Sequence, residues 1–167
     1  PTTHHRQEAT EMPMIDLTYL KGSLPKDARA DLLDELATKL LAAERAPDTE
    51  FFRSITWVYA NEVEPEDLAV GGRPGGEPRF RVQVTVPEGA LSERRKGILI
   101  EGVNEAVLRA AGLSETEGLR VWTVIRDVPD GNWGAAGQQV RYQRLVEAAA
   151  AEREGSGAAA TMATDSA

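Results

Sequence analysis

Two segments of the chain alternate apolar and polar residues with the period of a half-buried β-strand. They span residues 15–19 (IDLTY) and residues 80–86 (FRVQVTV), and in both the apolar side chains occupy every second position. This alternation places the apolar side chains on one face of a strand and the polar ones on the other. We therefore predict two strands, each with one face turned to a hydrophobic core.

Each strand is followed by apolar residues at helical spacing. Leucines recur in this way through residues 32–41, and leucine and valine do so through residues 99–108. Ser23, which precedes a proline by two positions, is expected to cap the first helix, and Ser92 is expected to cap the second. Gly112 is expected to end the second helix in the left-handed conformation. The pattern predicts two amphipathic helices.

A closing strand and a turn that contains glycine follow each helix. The closing strands, residues 55–63 and 120–128, are rich in β-branched and aromatic residues, and both carry a tryptophan at the matching position. The whole segment 13–72 is echoed in this order by the segment 80–137. The chain is therefore expected to contain two tandem βαβ units.

Two tandem βαβ units predict an α+β fold with a bare sheet face. Right-handed crossovers place both helices on the same side of a four-stranded sheet, which leaves the opposite face uncovered. Trp57, Trp122 and Ile125 are assigned to that uncovered face, where large apolar side chains are poorly solvated. We expect other subunits to cover the face.

Composition assigns the remaining segments. The start of the chain is polar and adds nothing to the repeat, residues 71–78 (GGRPGGEP) resemble a flexible linker, and the end is rich in small residues. The predicted parts are a polar leader (1–12), which is expected to be absent from the mature protein, a folded domain (13–152) and a disordered tail (153–167). The folded domain is predicted to consist of a first βαβ unit (13–72), a second βαβ unit (78–137) and a C-terminal helix (141–152).

Composition also excludes several kinds of chemistry. The 167 residues include no cysteine, which excludes disulfides and thiolate metal sites, and the only histidines are His4 and His5 in the leader. A net charge of -8 disfavours nucleic acid as a partner, because phosphate binding needs a basic face. No apolar run is long enough for a membrane span or a signal peptide. We expect a cytoplasmic protein without metal or cofactor.

The combination of the repeat, a proline that heads the first strand and the turn at residues 130–134 (DGNWG) resembles the tautomerase superfamily. The resemblance is to the fused relatives of 4-oxalocrotonate tautomerase and covers residues 13 to about 140. It implies a homotrimer and an amino-terminal proline, here Pro13, that acts as general acid and base on a small keto or enol substrate. It also implies that decarboxylation, hydration or dehalogenation can be run from the same proline.

The resemblance also shows where this chain departs from the family. An arginine often follows the glycine of the first strand–helix turn in tautomerases, and this chain has Ser23 and Ala90 at those positions. A second common arginine, in the closing strand, is replaced by Trp57 and Trp122. Trp133 matches an aromatic residue in the turn that borders the family's active site. The usual dicarboxylate substrate is therefore not expected.

Pro13 can do this chemistry only if its nitrogen is a free secondary amine. Met12 precedes it, so initiation at Met12 or trimming of the leader would expose that amine; alternatively, Pro1 folds back to the site. An apolar pocket lowers the pKa of an amine, and Ile15, Tyr59 and Trp133 are candidates for its walls. In the competing interpretation Pro13 merely begins an edge strand, where a missing N–H is harmless.

Arginines on the rim of the sheet are candidate binders of an acidic substrate. Arg73 and Arg126 are preferred, and the further candidates are Arg79, Arg81 and Arg120, since guanidinium can hold a carboxylate with two hydrogen bonds. Such arginines can equally neutralise the excess of acidic residues or join subunits. Glu62 and Asp127, at equivalent places in the two copies, could activate water in a hydratase.

Together these observations predict a trimeric, cofactor-independent tautomerase with one proline-centred site per chain, because Phe80 heads the second copy and offers no free amine. Pro13 is the predicted catalytic residue, and the predicted substrate-binding residues are Arg73, Arg126, Arg120, Tyr59 and Trp133. The expected partner is a small carbonyl or enol compound, with no nucleic acid or membrane. The alternatives are a non-catalytic binding or structural trimer with the same fold, or a hydratase, decarboxylase or dehalogenase of this superfamily.

Overall fold

A mixed four-stranded sheet with two long helices packed on one face forms the body of the protein. The computed structural model describes residues 12–141, 143–144, 146–147 and 150–155; the rest of the predicted leader and most of the predicted tail lie outside these residues. In chain order the elements are β1 (Met14–Leu20), α1 (Lys26–Glu44), α2 (Glu50–Ser54), β2 (Trp57–Val63), β3 (Ala69–Val70), β4 (Arg73–Pro74), β5 (Phe80–Pro87), α3 (Glu93–Ala111), β6 (Val121–Val128), β7 (Trp133–Ala135) and β8 (Gln138–Val140).

The order of strands in the sheet is β2-β1-β5-β6. β1 runs parallel to β2, and β5 runs parallel to β6, as the two predicted βαβ units require. The units meet where β1 and β5 pair antiparallel, with Leu17 opposite Val82. The antiparallel junction relates the units by an approximate two-fold axis, so equivalent positions of the two copies lie at opposite ends of the sheet. The predicted α+β architecture is confirmed.

The core lies between the sheet and the two long helices. The alternating apolar side chains of β1 and β5 are buried there, and so are the helical stripes that include Leu36 and Val103. The two periodicities in the sequence thus identify the core faces correctly, because a strand buries every second residue and a helix buries positions three or four apart.

The ends of the helices confirm two of the three predicted signals. The Ser92 hydroxyl accepts the backbone N–H of Arg95, and Gly112 ends α3 with a φ of 67°. The prediction for Ser23 is wrong. Its hydroxyl instead donates to the Leu20 carbonyl at 2.6 Å, which closes the strand–helix turn, and α1 begins after Pro25 without a side-chain cap.

The opposite sheet face is uncovered in the single chain, as predicted. Trp57 and Trp122 lie on this face and are 57% and 70% exposed, and Val124 is exposed on the same face. The assignment of Ile125 to this face is wrong, because the strand alternation turns it toward the helices, where it packs partly buried against the core. The exposed face therefore keeps both tryptophans.

Two small hairpins close the two units, one after each closing strand. Gly71 and Gly72, both at positive φ, form the turn between β3 and β4, so part of the predicted linker is structured. Gly134, which sequence analysis placed in such a turn, lies within β7, and the turn is made by residues 136–137. The described residues between 143 and 155 are helical, where a helix over 141–152 is predicted.

The short helix α2, which no pattern in the sequence predicted, anchors the loop before β2 through Phe52. This side chain is fully buried against Leu41, whereas its neighbour Phe51 is 41% exposed. We expect Phe52→Ala to lower the free energy of unfolding by about 3–5 kcal/mol, because it removes a buried aromatic side chain and leaves a cavity. Urea denaturation measures this free energy. The control variant Phe51→Ala should lower it by only about 1 kcal/mol, because Phe51 is partly exposed. Equal losses would contradict this account of the loop.

Candidate active site

A cleft of about 600 Å³ opens at the end of the sheet where β1 begins. Pro13 and Met14 of the first unit meet the β7 hairpin of the second unit there, so one cleft draws on both repeats. We call it the proline cleft, and its lining residues are Met12, Pro13, Met14, Ile55, Trp57, Thr85, Val128, Asn132, Trp133, Gly134, Ala135 and Ala136.

Pro13 is buried at the head of β1. Its carbonyl accepts the backbone N–H of Trp57 at 3.2 Å, which ties the residue to the start of the neighbouring parallel strand. Met12, half-buried, continues along the same cleft. The peptide nitrogen between Met12 and Pro13 therefore lies at the cleft wall, and a chain that began at Pro13 would present its amino group there.

Among the residues that the structure describes, none that lines the proline cleft has an ionisable side chain. The polar side-chain groups of the lining are the Thr85 hydroxyl, the Asn132 amide and the indole N–H groups of Trp57 and Trp133. The indole of Trp57 donates to the Ser54 carbonyl at 3.1 Å. Neutral walls of this kind solvate a charge poorly. The cleft thus suits an apolar molecule with a carbonyl or hydroxyl group that Thr85 and Asn132 can bind.

Two of the sequence-predicted residues, Pro13 and Trp133, meet in this cleft. Trp133 reaches it from β7, in the turn region that the resemblance singled out. Arg126 is close by in the sheet: it is the β6 partner of Thr85 and lies exposed on the uncovered face. Arg126 is therefore the predicted arginine that the sheet register places beside the cleft.

The structure places the other three predicted residues outside the lining of the proline cleft. Tyr59 is exposed on the uncovered face, paired in the sheet with Asp16. Arg120 lies at the other end of the sheet, where its largely buried guanidinium pairs with Glu77 at 2.6 Å and Glu117 at 2.9 Å. Arg73 is exposed on β4 in the hairpin of the first unit. Ile15, expected in the pocket wall, is buried beneath the helices instead.

The carboxylates considered for water activation face the helices. Glu62 accepts hydrogen bonds from the Tyr19 hydroxyl at 3.1 Å and from Arg29 at 3.0 Å. Asp127 bonds the Lys96 ammonium at 2.9 Å, and this hydrogen bond raises the pKa of Lys96. Both acids stabilise helix–sheet contacts and neither lines the proline cleft.

Sequence reasoning did not assign Trp57, Thr85 and Asn132 to the site. Trp57 was assigned to the uncovered sheet face and noted as the residue in place of a family arginine, yet as the parallel partner of Met14 it must also lie beside the head of β1. Thr85 pairs with Met14 from the other side. The strand pairing of the two repeats was therefore the signal that could have found both residues. Asn132 could have been assigned to the site from the turn motif, in which it directly precedes Trp133.

In the part of the chain that the structure describes, no group of three or more acidic or histidine side chains is arranged to hold a metal ion. Nor do the helices of that part include one that is both long and apolar enough to traverse a bilayer.

Comparisons with known proteins place the fold. The family model described as tautomerase enzyme matches residues 81–142. A fused 4-OT wild-type symmetric trimer gives a TM-score of 0.64 at 23% identity and covers 78% of this chain and 96% of its own. A structure of the protein Pt0534 inactivated by 2-oxo-3-pentynoate gives a TM-score of 0.65 at 18% identity and covers 79% of this chain and 98% of its own. A member of the cis-3-chloroacrylic acid dehalogenase family gives a TM-score of 0.65 at 20% identity and covers 80% of this chain and 88% of its own.

The family match lies in the second unit, and the structural likeness extends over both units. No curated protein sequence matches the chain. The second unit thus matches the tautomerase family model, and the fold of both units together is that of the fused 4-OT structures.

Proposed function

We propose that the protein is a cofactor-independent tautomerase in which the nitrogen of Pro13 moves a proton on a small keto or enol substrate of the 2-oxo acid type. The observation that carries this proposal is the position of Pro13, buried at the head of β1 in a cleft without an ionisable side chain. An enzyme of this kind needs a single base, and the nitrogen of Pro13 becomes one when the chain begins at this residue.

The proposal requires Pro13 to begin the mature chain. An amide nitrogen joined to Met12 has no basic lone pair, whereas the free imino group of an amino-terminal proline is a secondary amine. Removal of Met12 also vacates part of the cleft, since Met12 is itself a lining residue. Processing before Pro13 thus creates the base and the space for a substrate in one step.

The walls of the cleft adjust the amine for proton transfer near neutral pH. An ordinary α-amine has a pKa of about 7.7–8.0, and burial among neutral groups lowers it because the charged form loses hydration. The unprotonated amine then takes a proton from the carbon beside a carbonyl and returns it at another position. Thr85 and Asn132 donate to the enolate oxygen, Trp57 and Trp133 enclose the apolar part, and Arg126 binds a carboxylate at the cleft edge.

A tautomerase fits the cleft better than a hydratase or a hydrolytic dehalogenase. Those reactions need a group that activates water, and Glu62 and Asp127 face the helices with cationic partners. The competing function is a non-catalytic binding trimer. The absence of a cation from the lining of the cleft favours that second candidate.

Covalent labelling separates the two functions without knowledge of the natural substrate. The structurally similar protein Pt0534 is inactivated by 2-oxo-3-pentynoate, an alkynone to which a secondary amine adds across the triple bond. We expect the chain that begins at Pro13 to gain the full mass of this reagent at Pro13, by peptide mass spectrometry, and to lose turnover of phenylenolpyruvate or 2-hydroxymuconate. A chain with Met12 retained is the control and should carry no label at Pro13, because the nitrogen of Pro13 is then an amide. Equal labelling of both chains would overturn the role of Pro13.

We further propose that three chains assemble through the uncovered sheet face. Trp57 and Trp122 on this face are large, apolar and exposed in the single chain, and the similar fused 4-OT structure is a trimer. Covering them stabilises the assembly by roughly 25 cal/mol for each Å² of apolar surface buried.

We expect light scattering to give three chain masses for the parent protein. Trp122→Glu should release monomers, because assembly would then bury a carboxylate. Ile98→Glu introduces the same charge at an apolar residue of the helix layer that is 56% exposed, and it should leave the trimer intact. A parent protein that is monomeric at micromolar concentration would contradict the proposal.

A further inference from the structure

A second cleft, of about 760 Å³, lies at the opposite end of the sheet, where β5 begins. It is built by the first-unit hairpin, the head of β5 and the start of β6. We call it the arginine cleft, and its lining residues are Thr18, Val63, Asp67, Leu68, Ala69, Val70, Gly71, Arg79, Phe80, Arg81, Leu119, Arg120 and Trp122.

The arginine cleft is the counterpart of the proline cleft under the two-fold relation of the repeats. Phe80 heads β5 where Pro13 heads β1, and Trp122 stands where Trp57 stands. Thr18 takes the place of Thr85 on the neighbouring strand, and the hairpin supplies Leu68 where the other supplies Trp133. The two clefts therefore lie at equivalent places in the two units, but Phe80 in the second offers no free amine.

Charge distinguishes the two clefts. Arg79, Arg81 and Arg120 line the second cleft, whereas the first has no charged side chain. Arg120 is neutralised by Glu77 and Glu117.

Arg79 and Arg81 have no carboxylate within 4.0 Å among the described residues. Arg81 instead donates to the Thr18 hydroxyl at 3.3 Å. In a chain of net charge -8, these two guanidinium groups remain available to bind an anion, although Asp67 also lines the cleft.

The rest of the lining is apolar. Leu68 and Val70 come from the hairpin, and Leu119 and Trp122 stand 87% and 70% exposed beside them. A bare inorganic anion would leave these side chains in water, whereas an anion with an apolar body would cover them. The cleft thus matches a molecule that has one acidic group and one apolar end.

We propose that the arginine cleft binds a small carboxylate with an apolar body, and that it binds this ligand without turnover. Arg79 and Arg81 hold the carboxylate, Leu68 and Leu119 cover the apolar end, and Trp122 stands between this ligand and the subunit interface proposed above. Asp67, on the same lining, disfavours a second negative charge and so selects monoanions. This proposal concerns a site separate from Pro13 and stands whether or not the proline is catalytic.

The three tryptophans of the chain allow the two clefts to be observed separately. Trp57 and Trp133 line the first cleft and Trp122 lines the second, so the double variant Trp57→Phe/Trp133→Phe leaves Trp122 as the only indole. Titration of this variant with benzoate should give a saturable change in fluorescence. Benzamide, which has the same shape without the charge, and inorganic phosphate, which lacks the apolar body, should each bind at least about tenfold more weakly.

Replacement of the guanidinium groups tests the assignment. Arg79→Gln/Arg81→Gln in the same background should weaken benzoate binding about tenfold or more, because two charge-assisted hydrogen bonds are lost. Arg73→Gln removes a nearby arginine outside the lining and should leave binding unchanged. Calorimetric titration of the arginine variants in the otherwise unaltered protein gives a second measurement if the tryptophan replacements disturb the fold. Benzoate affinity that is unchanged by Arg79→Gln/Arg81→Gln, or equal affinity for benzamide, would overturn the proposal.

Discussion

Pro13→Ala, made in the chain that begins at residue 13, is expected to lower kcat/KM for phenylenolpyruvate or 2-hydroxymuconate by about a hundredfold or more. General acid–base catalysis by one positioned group contributes about 10²–10⁴ in rate, and this cleft offers no second base. Alanine keeps a terminal amine but replaces the secondary amine by a primary, less constrained one. Steady-state kinetics with a spectrophotometric substrate measures the loss.

The assembly should survive this replacement, because Pro13 contributes one backbone hydrogen bond through its carbonyl, which alanine retains. Light scattering and circular dichroism therefore serve as controls for a folded trimer. A variant that is folded but still as active as its parent would remove Pro13 from the mechanism. The protein would then best be described as a binding trimer.

The fold could be predicted from two hydrophobic periodicities in the sequence, that of strands and that of helices. Alternation over 15–19 and 80–86 and the leucine-rich stripes specify which faces are buried, so the sheet with its two helices follows from local pattern and crossover handedness. Ser92 and Gly112 also act locally, and both predictions hold. The prediction for Ser23 failed because its hydroxyl donates to the Leu20 carbonyl and α1 begins only after Pro25.

The candidate site depended on information that is not local. Trp57 and Thr85 reach the proline cleft only because both strands pair with the head of β1, in parallel and antiparallel directions. Arg120 looked available in the sequence, yet the folded chain surrounds it with Glu77 and Glu117. Such pairings join residues distant along the chain or on irregular turns, and no periodicity indicates them.

The two clefts show how a repeated unit acquires two chemistries from one shape. The strand heads and neighbouring threonines are equivalent, so the difference lies in a few substitutions on a shared framework. The first cleft combines a proline with neutral walls, which favours an uncharged base. The second combines a buried phenylalanine with unpaired arginines, which favours a bound anion. The two clefts therefore differ in the group that each would offer to a ligand, a base in the first and guanidinium groups in the second.

This contrast predicts the result of placing a carboxylate in the proline cleft. Thr85→Asp puts a negative charge among neutral walls beside the head of β1. The charge stabilises the protonated amine, so the pKa of Pro13 should rise, by about one to two units for an opposite charge at close range. Because the base is active only when unprotonated, kcat/KM at pH 7 should fall about tenfold or more and recover as the pH is raised.

Thr85→Asn is the matched control, since asparagine has the size of aspartate without its charge. Its pH profile of kcat/KM should keep the acidic limb of the parent, even if the lost hydroxyl lowers the rate at every pH. An upward shift of the limb in Thr85→Asp alone assigns the effect to charge at the amine. Identical profiles for the two variants would mean that the titrating base lies outside this cleft, and a neutral lining would then no longer account for a reactive proline.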